Sequence, residues 1–395
     1  MNRDNLSHAI QQNLKRLPAP FEAHYGVVPP PPPVGLVDIE SALPKLRQVN
    51  SAMERVNIFA SELSDPWLVN RILPRREAIS SSAIEGTNST LDELLSSEET
   101  EDSETTEATK QVRDYALALD AYIPKAKQDG HSIFTTNLVS NLHRSVMQGN
   151  TSYSDIPGDL RNCVVWIGGG RDIAYSTYNP TPPADIELCL EQSMHYMRCE
   201  GDQLNQQHLI TRMAIAHAHF EAVHPFRDGN GRVGRLLMPL MMAADGYTPL
   251  YLSPYIASRK EDYYAALKAA QQKLEYSPLV EFLSEAVIRT VEELFATREA
   301  LQALAVIWDG RYNYRKGSAA IKALGILTQY PVITIKRLAQ IIGVSIPAAT
   351  KAIELLVQTG ILHEKTGYTR NRVYVATEVL QIINRPFGHE PIISS

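Results

Sequence analysis

Apolar residues recur at three- and four-residue steps along most of the chain, which predicts a mainly helical protein. The periodicity predicts helices over residues 39–50, 53–63 and 67–73, then 107–122 and 136–147. Further on it predicts 207–223, 232–244, 258–273 and one long helix over 279–304. Between 207 and 223 the step pattern is carried by Ile210, Met213, Ala214, His217 and Phe220. A short helix is predicted through Ile79, Ala83 and Ile84, with Gly86 placed to end it in the left-handed conformation. Period-two patterning is rare. Two β-rich runs separated by Gly168, Gly169 and Gly170 predict a hairpin over 161–178, which Asn179-Pro180-Thr181-Pro182-Pro183 then stops.

Beyond Gly317 the pattern changes. Helices are predicted over 318–327, 335–342 and 346–358, with Thr334 and Ser345 as N-caps and Gly343 turning the chain between the last two. Strands at 361–365 and 372–376 flank a turn at 367–371. Two helices joined by a short glycine turn and followed by a β-wing resemble a winged helix-turn-helix.

The start of the chain lacks this periodicity. Residues up to about Val34 are polar and then proline-rich, and Pro29 to Pro33 is unbroken, which predicts an extended arm or spacer. Residues 92–107 are acidic and rich in Ser and Thr, which predicts a solvated linker. The expected organisation is an arm (1–37), an N-terminal helical region (38–107), a helical core (108–310) and the C-terminal module (317–380).

Charge sharpens that division. From Arg311 onward eleven Lys/Arg face four Asp/Glu, net +7, while the preceding residues hold 27 against 40, net −13. An acidic body with a basic terminal module implies different partners for the two. Lys351, Lys365, Arg370 and Arg372 fall on the module's second helix or wing, where phosphates would meet them. Such modules also dimerise or dock proteins, so DNA and a homodimer are both carried as candidate partners. No run approaches the ~18 apolar residues of a membrane span. Cys163, Cys189 and Cys199 are few and not in C-x-x-C pairs, which argues for a reducing compartment and against structural zinc. A cytoplasmic protein with no membrane partner is the expectation.

The chemistry concentrates in His224-Pro225-Phe226-Arg227-Asp228-Gly229-Asn230-Gly231-Arg232-Val233-Gly234-Arg235, between the helices at 207–223 and 232–244. Gly229, Asn230 and Gly231 open directly into the second helix. Converging backbone N–H groups and the helix N-terminus there make an anion site. Arg232 and Arg235 stand one turn apart, which suits a chain of phosphates. Asp228 beside the nest would repel phosphate unless a divalent cation such as Mg²⁺ lay between them. His224 at the turn entry is placed for proton transfer. Together these residue types describe nucleotidyl or phosphoryl transfer.

This stretch resembles the Fic family signature, His-x-Phe-x-Asp/Glu-Gly-Asn-Gly-Arg-x-x-Arg, with no departure at a specified position. The resemblance implies a Fic-type helical bundle with a small β-hairpin flap, here followed by the winged-helix module. It implies a protein adenylyltransferase that moves AMP from ATP, with Mg²⁺, onto a Tyr, Thr or Ser hydroxyl of a target protein or of itself. Ser81-Ser82-Ala83-Ile84-Glu85-Gly86 matches the family's inhibitory motif, Ser/Thr-x-x-x-Glu-Gly/Asn, so Ser81, Glu85 and Gly86 are expected to form an N-terminal inhibitory helix. The family's flap holds the target segment by strand pairing, which assigns Val165, Trp166 and Ile167 that role. An aromatic residue bordering the adenine pocket falls on Tyr264, next to Tyr263. Three alternatives stay open: a Doc-type phosphotransferase, whose branch carries lysine at the Gly231 position; a nucleotide-sensing DNA-binding regulator; and removal of AMP from modified proteins, with Glu85 positioning water.

Overall fold

The computed structural model describes residues 1–62, 71–99, 105–200, 207–366 and 372–393. Its elements run, in chain order, α1 (His8–Gln11), β1 (Leu14–Arg16), β2 (Tyr25–Val27), α2 (Leu43–Glu62), α3 (Leu73–Ile84), α4 (Leu91–Glu99), α5 (Glu107–Asp129) and α6 (Thr136–Met147). They continue with α7 (Ile186–Met197), α8 (Leu209–Val223), α9 (Asn230–Ala244), α10 (Ser253–Ser258), α11 (Lys260–Lys273) and α12 (Ser277–Gly310). The last group is α13 (Ala319–Leu327), β3 (Val332–Thr334), α14 (Ile335–Ile342), α15 (Ile346–Gln358), β4 (His363–Glu364), β5 (Val373–Val375) and α16 (Thr377–Asn384).

Helix α8 is the axis of the body. All fifteen of its residues are buried, including Arg212, His217, His219 and Glu221, so it has no solvent face. A helix enclosed all round must sit inside a bundle, and α7, α9, α11 and α12 pack around it. Helix α5 bridges α3 and α9, which brings the segment ending at Glu85 against the start of α9.

Three charged residues seat α3. Arg75 donates to Glu98 Oε1 on α4 (2.9 Å) and to both oxygens of Asp120 on α5 (2.8 and 2.7 Å). Arg76 reaches Glu293 on α12 and the Arg385 carbonyl beyond α16. Glu77 is buried and accepts from the Ser253 backbone N–H (2.8 Å) and hydroxyl (2.6 Å) at the start of α10. Helix α3 is thereby bonded to the body on three sides.

Several expected elements come out differently. The helices expected at 39–50 and 53–63 are one, α2, because no breaker separates them; the helix expected at 67–73 falls largely on 63–70, outside the described residues. The acidic linker expected over 92–107 begins as helix α4, since Leu91, Leu94 and Leu95 are buried on one face and tie it to the core. The polar arm also folds: β1 and β2 pair antiparallel, and Leu6, Ile10 and Val27 pack with Tyr178 and Ala222. The hairpin expected over 161–178 reduces to one antiparallel bridge, Ile167 with Tyr178. Three consecutive glycines with φ of 73°, 73° and 62° turn the chain immediately after Ile167, so Val165 and Trp166 have no paired strand opposite. The helix expected at 258–273 is α11, and a separate short helix that was not expected, α10, precedes it across Arg259. Helices α7 and α16 were not expected at all.

Past α12, α14 and α15 cross at 111°. A three-stranded antiparallel sheet in the order β3-β5-β4 closes the module, with Val332 opposite Val375 and His363 also opposite Val375. The module is seated on the body through Trp308, fully buried at the end of α12, whose indole N–H donates to Glu378 Oε2 (2.8 Å). Arg311 closes a two-pronged pair on the same carboxylate (2.8 and 2.6 Å). Lys365 on the wing reaches back to Asp92 and Ser96 of α4. Among the described residues no single helix is long and apolar enough to cross a membrane.

Trp308→Ala empties this seat and leaves Glu378 facing Arg311 alone. The expected cost is about 3–5 kcal/mol, as for other large-to-small aromatic truncations, read as a fall in urea resistance.

Candidate active site

The loop between α8 and α9 is held in an unusual backbone path. His224 ends α8 in the left-handed region (φ 51°, ψ 65°), its N–H still bonded to the Phe220 carbonyl (3.0 Å). A non-glycine residue held there is strained, and strain of this kind concentrates at functional positions. Arg161 maintains it: its Nε donates to the His224 carbonyl (2.7 Å), its remaining nitrogens reach the Cys163, Thr181 and Val223 carbonyls, and its own N–H bonds Pro225. Asn230 closes the loop from the other side. Its Oδ1 accepts from Phe226 N–H and its Nδ2 donates to the Phe226 carbonyl, both at 2.8 Å. Gly229 is N-cap of α9 with φ 81°, and a Cβ there would meet Met147 Sδ at 2.8 Å, so only glycine fits.

Buried Phe226 stacks on His143 at 3.7 Å, the rings 7° from parallel. His143 accepts from Gly158 N–H at Nδ1 (2.8 Å) and donates from Nε2 to the Asp228 carbonyl (3.0 Å). Burial pushes its imidazole down to about 4, which keeps one nitrogen an acceptor and the other a donor at neutral pH. His143 and Arg161 therefore shape the loop although neither belongs to it. Their contacts span 85 and 63 residues, and no local spacing signals them.

Inside the first turns of α9, Arg235 is 1% exposed. Its Nε donates to Ser81 Oγ (2.9 Å), and its Nη2 donates to the Ser81 carbonyl (2.9 Å) and to Glu85 Oε1 (2.7 Å). Burial alone would raise the Glu85 carboxyl, but Arg235, followed by Arg232 and Lys260, outweighs it and holds Glu85 below the ordinary carboxylate range. Burial likewise opposes charge on Arg235, and Glu85 is the largest influence restoring it. Glu85 caps α3, where Lys260 donates to the Ile84 carbonyl and relieves the adverse end of the helix dipole. Gly86 follows with φ 89° and bonds the Ala83 carbonyl.

A cavity of about 360 Å³ gathers Glu85, Glu221, His224, Gly231, Arg235, Tyr263, Tyr264 and Ile167 on its walls. Tyr264 is 41% exposed and forms part of the rim, whereas Tyr263 is buried and bonds His217 Nε2 through its hydroxyl (2.6 Å). Arg232, Asn230, Gly229 and Asp228 adjoin the cavity through the loop but do not line it. Arg232 is buried against Gln111 Oε1 (3.2 Å) and Met147 Sδ (3.0 Å), with Asp228 Oδ2 at 3.6 Å. The Asp228 side chain is 58% exposed, and its Oδ1 accepts from Gly229 N–H. Of Val165, Trp166 and Ile167, Ile167 reaches the cavity, joined there by Thr177 and Tyr178; Trp166 turns to Phe21 and to the Gly170 carbonyl. Among the described residues no group of three or more His, Cys, Asp or Glu could hold a metal unaided.

Burial, and after it Arg161, pushes the His224 imidazole down to about 4, so it is an unprotonated base at neutral pH. A base, a buried guanidinium and a helix N-terminus around one cavity suit attack on a bound phosphate ester.

Comparison with known proteins bears on the same region. The model of the Fic/DOC family matches residues 133–242, and that of the Fic/DOC family N-terminal region matches 43–122. The protein adenylyltransferase Fic of Drosophila grimshawi is 29% identical over 170 residues, which are 43% of this chain and 32% of that protein. The protein of the same name from Culex quinquefasciatus is 28% identical over 187 residues, 46% of this chain and 34% of its own length. The match thus spans about a third of the length of these relatives. In fold, the chain is similar to a Fic family protein from Desulfovibrio desulfuricans G20 (TM-score 0.54, 20% identity, 88% of this chain and 98% of the other). It is also similar to a Fic domain containing signaling protein from Bacteroides thetaiotaomicron VPI-5482 (TM-score 0.52, 19% identity, 63% and 95%). Two adjoining family matches, one enclosing the loop and the other the helix that meets it, agree with the shared helical architecture, and residues 43–242 carry the Fic/DOC family's N-terminal region and domain.

Proposed function

We propose that the protein is an autoinhibited adenylyltransferase that moves AMP from ATP to a hydroxyl of a protein target, itself included. The observation that carries this reading is the single cavity on which His224, Gly231, Arg235 and Glu85 converge. The phosphates of ATP would lie on the backbone N–H groups at the start of α9, with Arg235 on the terminal phosphate and Tyr264 beside the base. The exposed Asp228 carboxylate fits Mg²⁺, which typically takes one or two carboxylates together with substrate phosphates and would neutralise charge on them. The target hydroxyl gives its proton to His224 as its oxygen bonds the α-phosphorus. The bond from that phosphorus to the bridging oxygen breaks, and pyrophosphate leaves. Positioning and charge do this work, since no covalent enzyme intermediate forms.

Glu85 occupies the partner site of Arg235, so the terminal phosphate and Glu85 compete for one guanidinium. Gly231 supports adenylyl over phosphoryl transfer, because the phosphotransferase branch has lysine there. Removal of AMP is the second reading, supported by the access Glu85 has to the cavity that holds His224; release of AMP from a modified protein, lost in Glu85→Gly, would establish it. For the C-terminal module a protein partner is better supported than a duplex. Lys365 is engaged by Asp92 and Ser96, and exposed Lys351 on α15 is offset by Glu354 beside apolar Ile346 and Val357. Arg370 lies outside the described residues.

Incubation with ATP labelled at the α- or γ-phosphate tests the reaction: protein-bound α-label is expected, and γ-label would mean a kinase. Replacing His224 by alanine should cut incorporation by at least ~10²-fold, as for loss of a general base, while ATP still binds. Full turnover at pH 7 in that variant would remove His224 from the chemistry. Glu85→Gly should raise incorporation roughly ten- to a hundredfold, equivalent to freeing a charged hydrogen bond of about 1.5–3 kcal/mol. Adding Arg235→Ala should abolish that gain; a Glu85→Gly rate at or below wild type at every ATP concentration would refute autoinhibition. For the module, no retention of duplex DNA is expected in a gel shift at about 0.15 M salt, and salt-sensitive retention would restore the nucleic-acid reading.

A further inference from the structure

One buried acid at the site has no assigned work. Glu221 lies on α8 one turn before His224, is 6% exposed and lines the same cavity. Its Oε1 makes no hydrogen bond among the described residues, while the His224 ring lies against the Glu221 backbone carbonyl, which favours its protonated form. The two side chains face each other, with Glu221 Oε2 3.8 Å from His224 Nδ1. Leaving a carboxylate buried and unbonded is costly, and natural folds seldom keep one without a use.

The surroundings make room for it. A Cβ on Gly234 would stand 2.5 Å from Glu221 Oε1, so the carboxylate fills the space that this glycine leaves on α9. Position 234 is unspecified in the family signature, Gly-Arg-x-x-Arg, and the absent side chain here leaves room for Glu221, His217 and Phe220 of α8.

We propose that Glu221 is a positioning residue for His224, its carboxylate stabilising the imidazolium that forms when His224 accepts the hydroxyl proton. This rests on the adenylyl-transfer reading. As the target oxygen bonds the α-phosphorus and pyrophosphate departs, the proton arrives at Nε2, on the side of the ring away from Glu221. Positive charge then spreads over a ring whose Nδ1 faces the carboxylate. Arg161 works against that charge, while Glu85 from α3 and the Glu221 backbone carbonyl on α8 itself favour it. Glu221 itself is faced by Arg235 from α9, which favours its ionised form, by Glu85 from α3, which opposes it, and by the Tyr263 and Tyr264 hydroxyls from α11. Burial pushes its carboxyl up to about 7. The sign follows: below that pH Glu221 is neutral and gives no help, and above it the carboxylate assists.

The test compares the full-length protein with Glu221→Gln and Gly234→Ala, the second displacing the carboxylate without changing the charge at 221. Wild-type kcat should rise through a limb near pH 7, and Glu221→Gln should lose that limb. Its kcat above the limb should be roughly ten- to a hundredfold lower, the scale of one unit charge lost at this distance, with KM for ATP unchanged. Gly234→Ala should fall in the same direction. In parallel, the ¹⁵N resonances of the His224 ring, assigned by their absence in His224→Gln, should step through pH 7 in wild type and stay flat in Glu221→Gln. Persistence of the kcat limb and of the ring step in Glu221→Gln overturns the proposal, even if kcat falls through altered packing. If wild type transfers no AMP but the ring step is present and lost in Glu221→Gln, the adenylyl-transfer reading fails while the coupling of Glu221 to His224 stands.

Discussion

A guanidinium almost wholly removed from water dictates much of this site. Arg235 cannot lose its proton, and burial penalises its charge, so the fold must keep an anion or carbonyl dipoles against it. Ser81 gives two oxygens and Glu85 a carboxylate, and all three belong to α3. The position of α3 is therefore a condition for charge balance at the start of α9. The ties of Arg75, Arg76 and Glu77 to α4, α5, α10 and α12 hold that helix where Arg235 requires it. A triphosphate could meet the same electrostatic need, so on the proposed reading the contact that balances Arg235 at rest would also obstruct the substrate.

The left-handed path at His224 is a second constraint with long reach. The backbone there is retained by Arg161 on one side and by the His143–Phe226 stack with Asn230 on the other. Arg161 also stands at the start of the segment expected to present the target hydroxyl, so that segment and the residue expected to take its proton share one anchor. The folded N-terminal ribbon adds to this, since Asn179 at the end of the flap bonds the Tyr25 carbonyl and Val27 bonds the Asn179 carbonyl.

What was legible in the sequence was mostly local. The twelve-residue loop, the α3 motif ending at Glu85 and Gly86, and the helices α6, α8, α9 and α12–α15 carry their signals within a few turns of chain. The misreadings share a cause. Buried Leu91, Leu94 and Leu95 stand at the head of the acidic run, so composition concealed a helix that tertiary packing forms. The hairpin over 161–178 had the right residue types, but consecutive left-handed glycines consume the register that a ladder needs. His143, Arg161 and Glu221 act through contacts that the chain brings together only on folding. Of these, Glu221 had a faint linear trace: a buried acid three residues before the histidine and a glycine where the signature allows any residue.

The missing side chain at Gly231 bears on restraint and chemistry together. Glu85 Oε1 already occupies the space into which a Cβ at 231 would project, with Arg235 Nη1 2.9 Å from the same point. A side chain at 231, such as the lysine of the phosphotransferase branch, would meet the Glu85 carboxylate first, and that carboxylate would have to swing aside to admit it. On the autoinhibited reading, a side chain at 231 would therefore loosen the contact between Glu85 and Arg235. Restraint by Glu85 and the inverted chemistry would compete for the same small space beside Gly231.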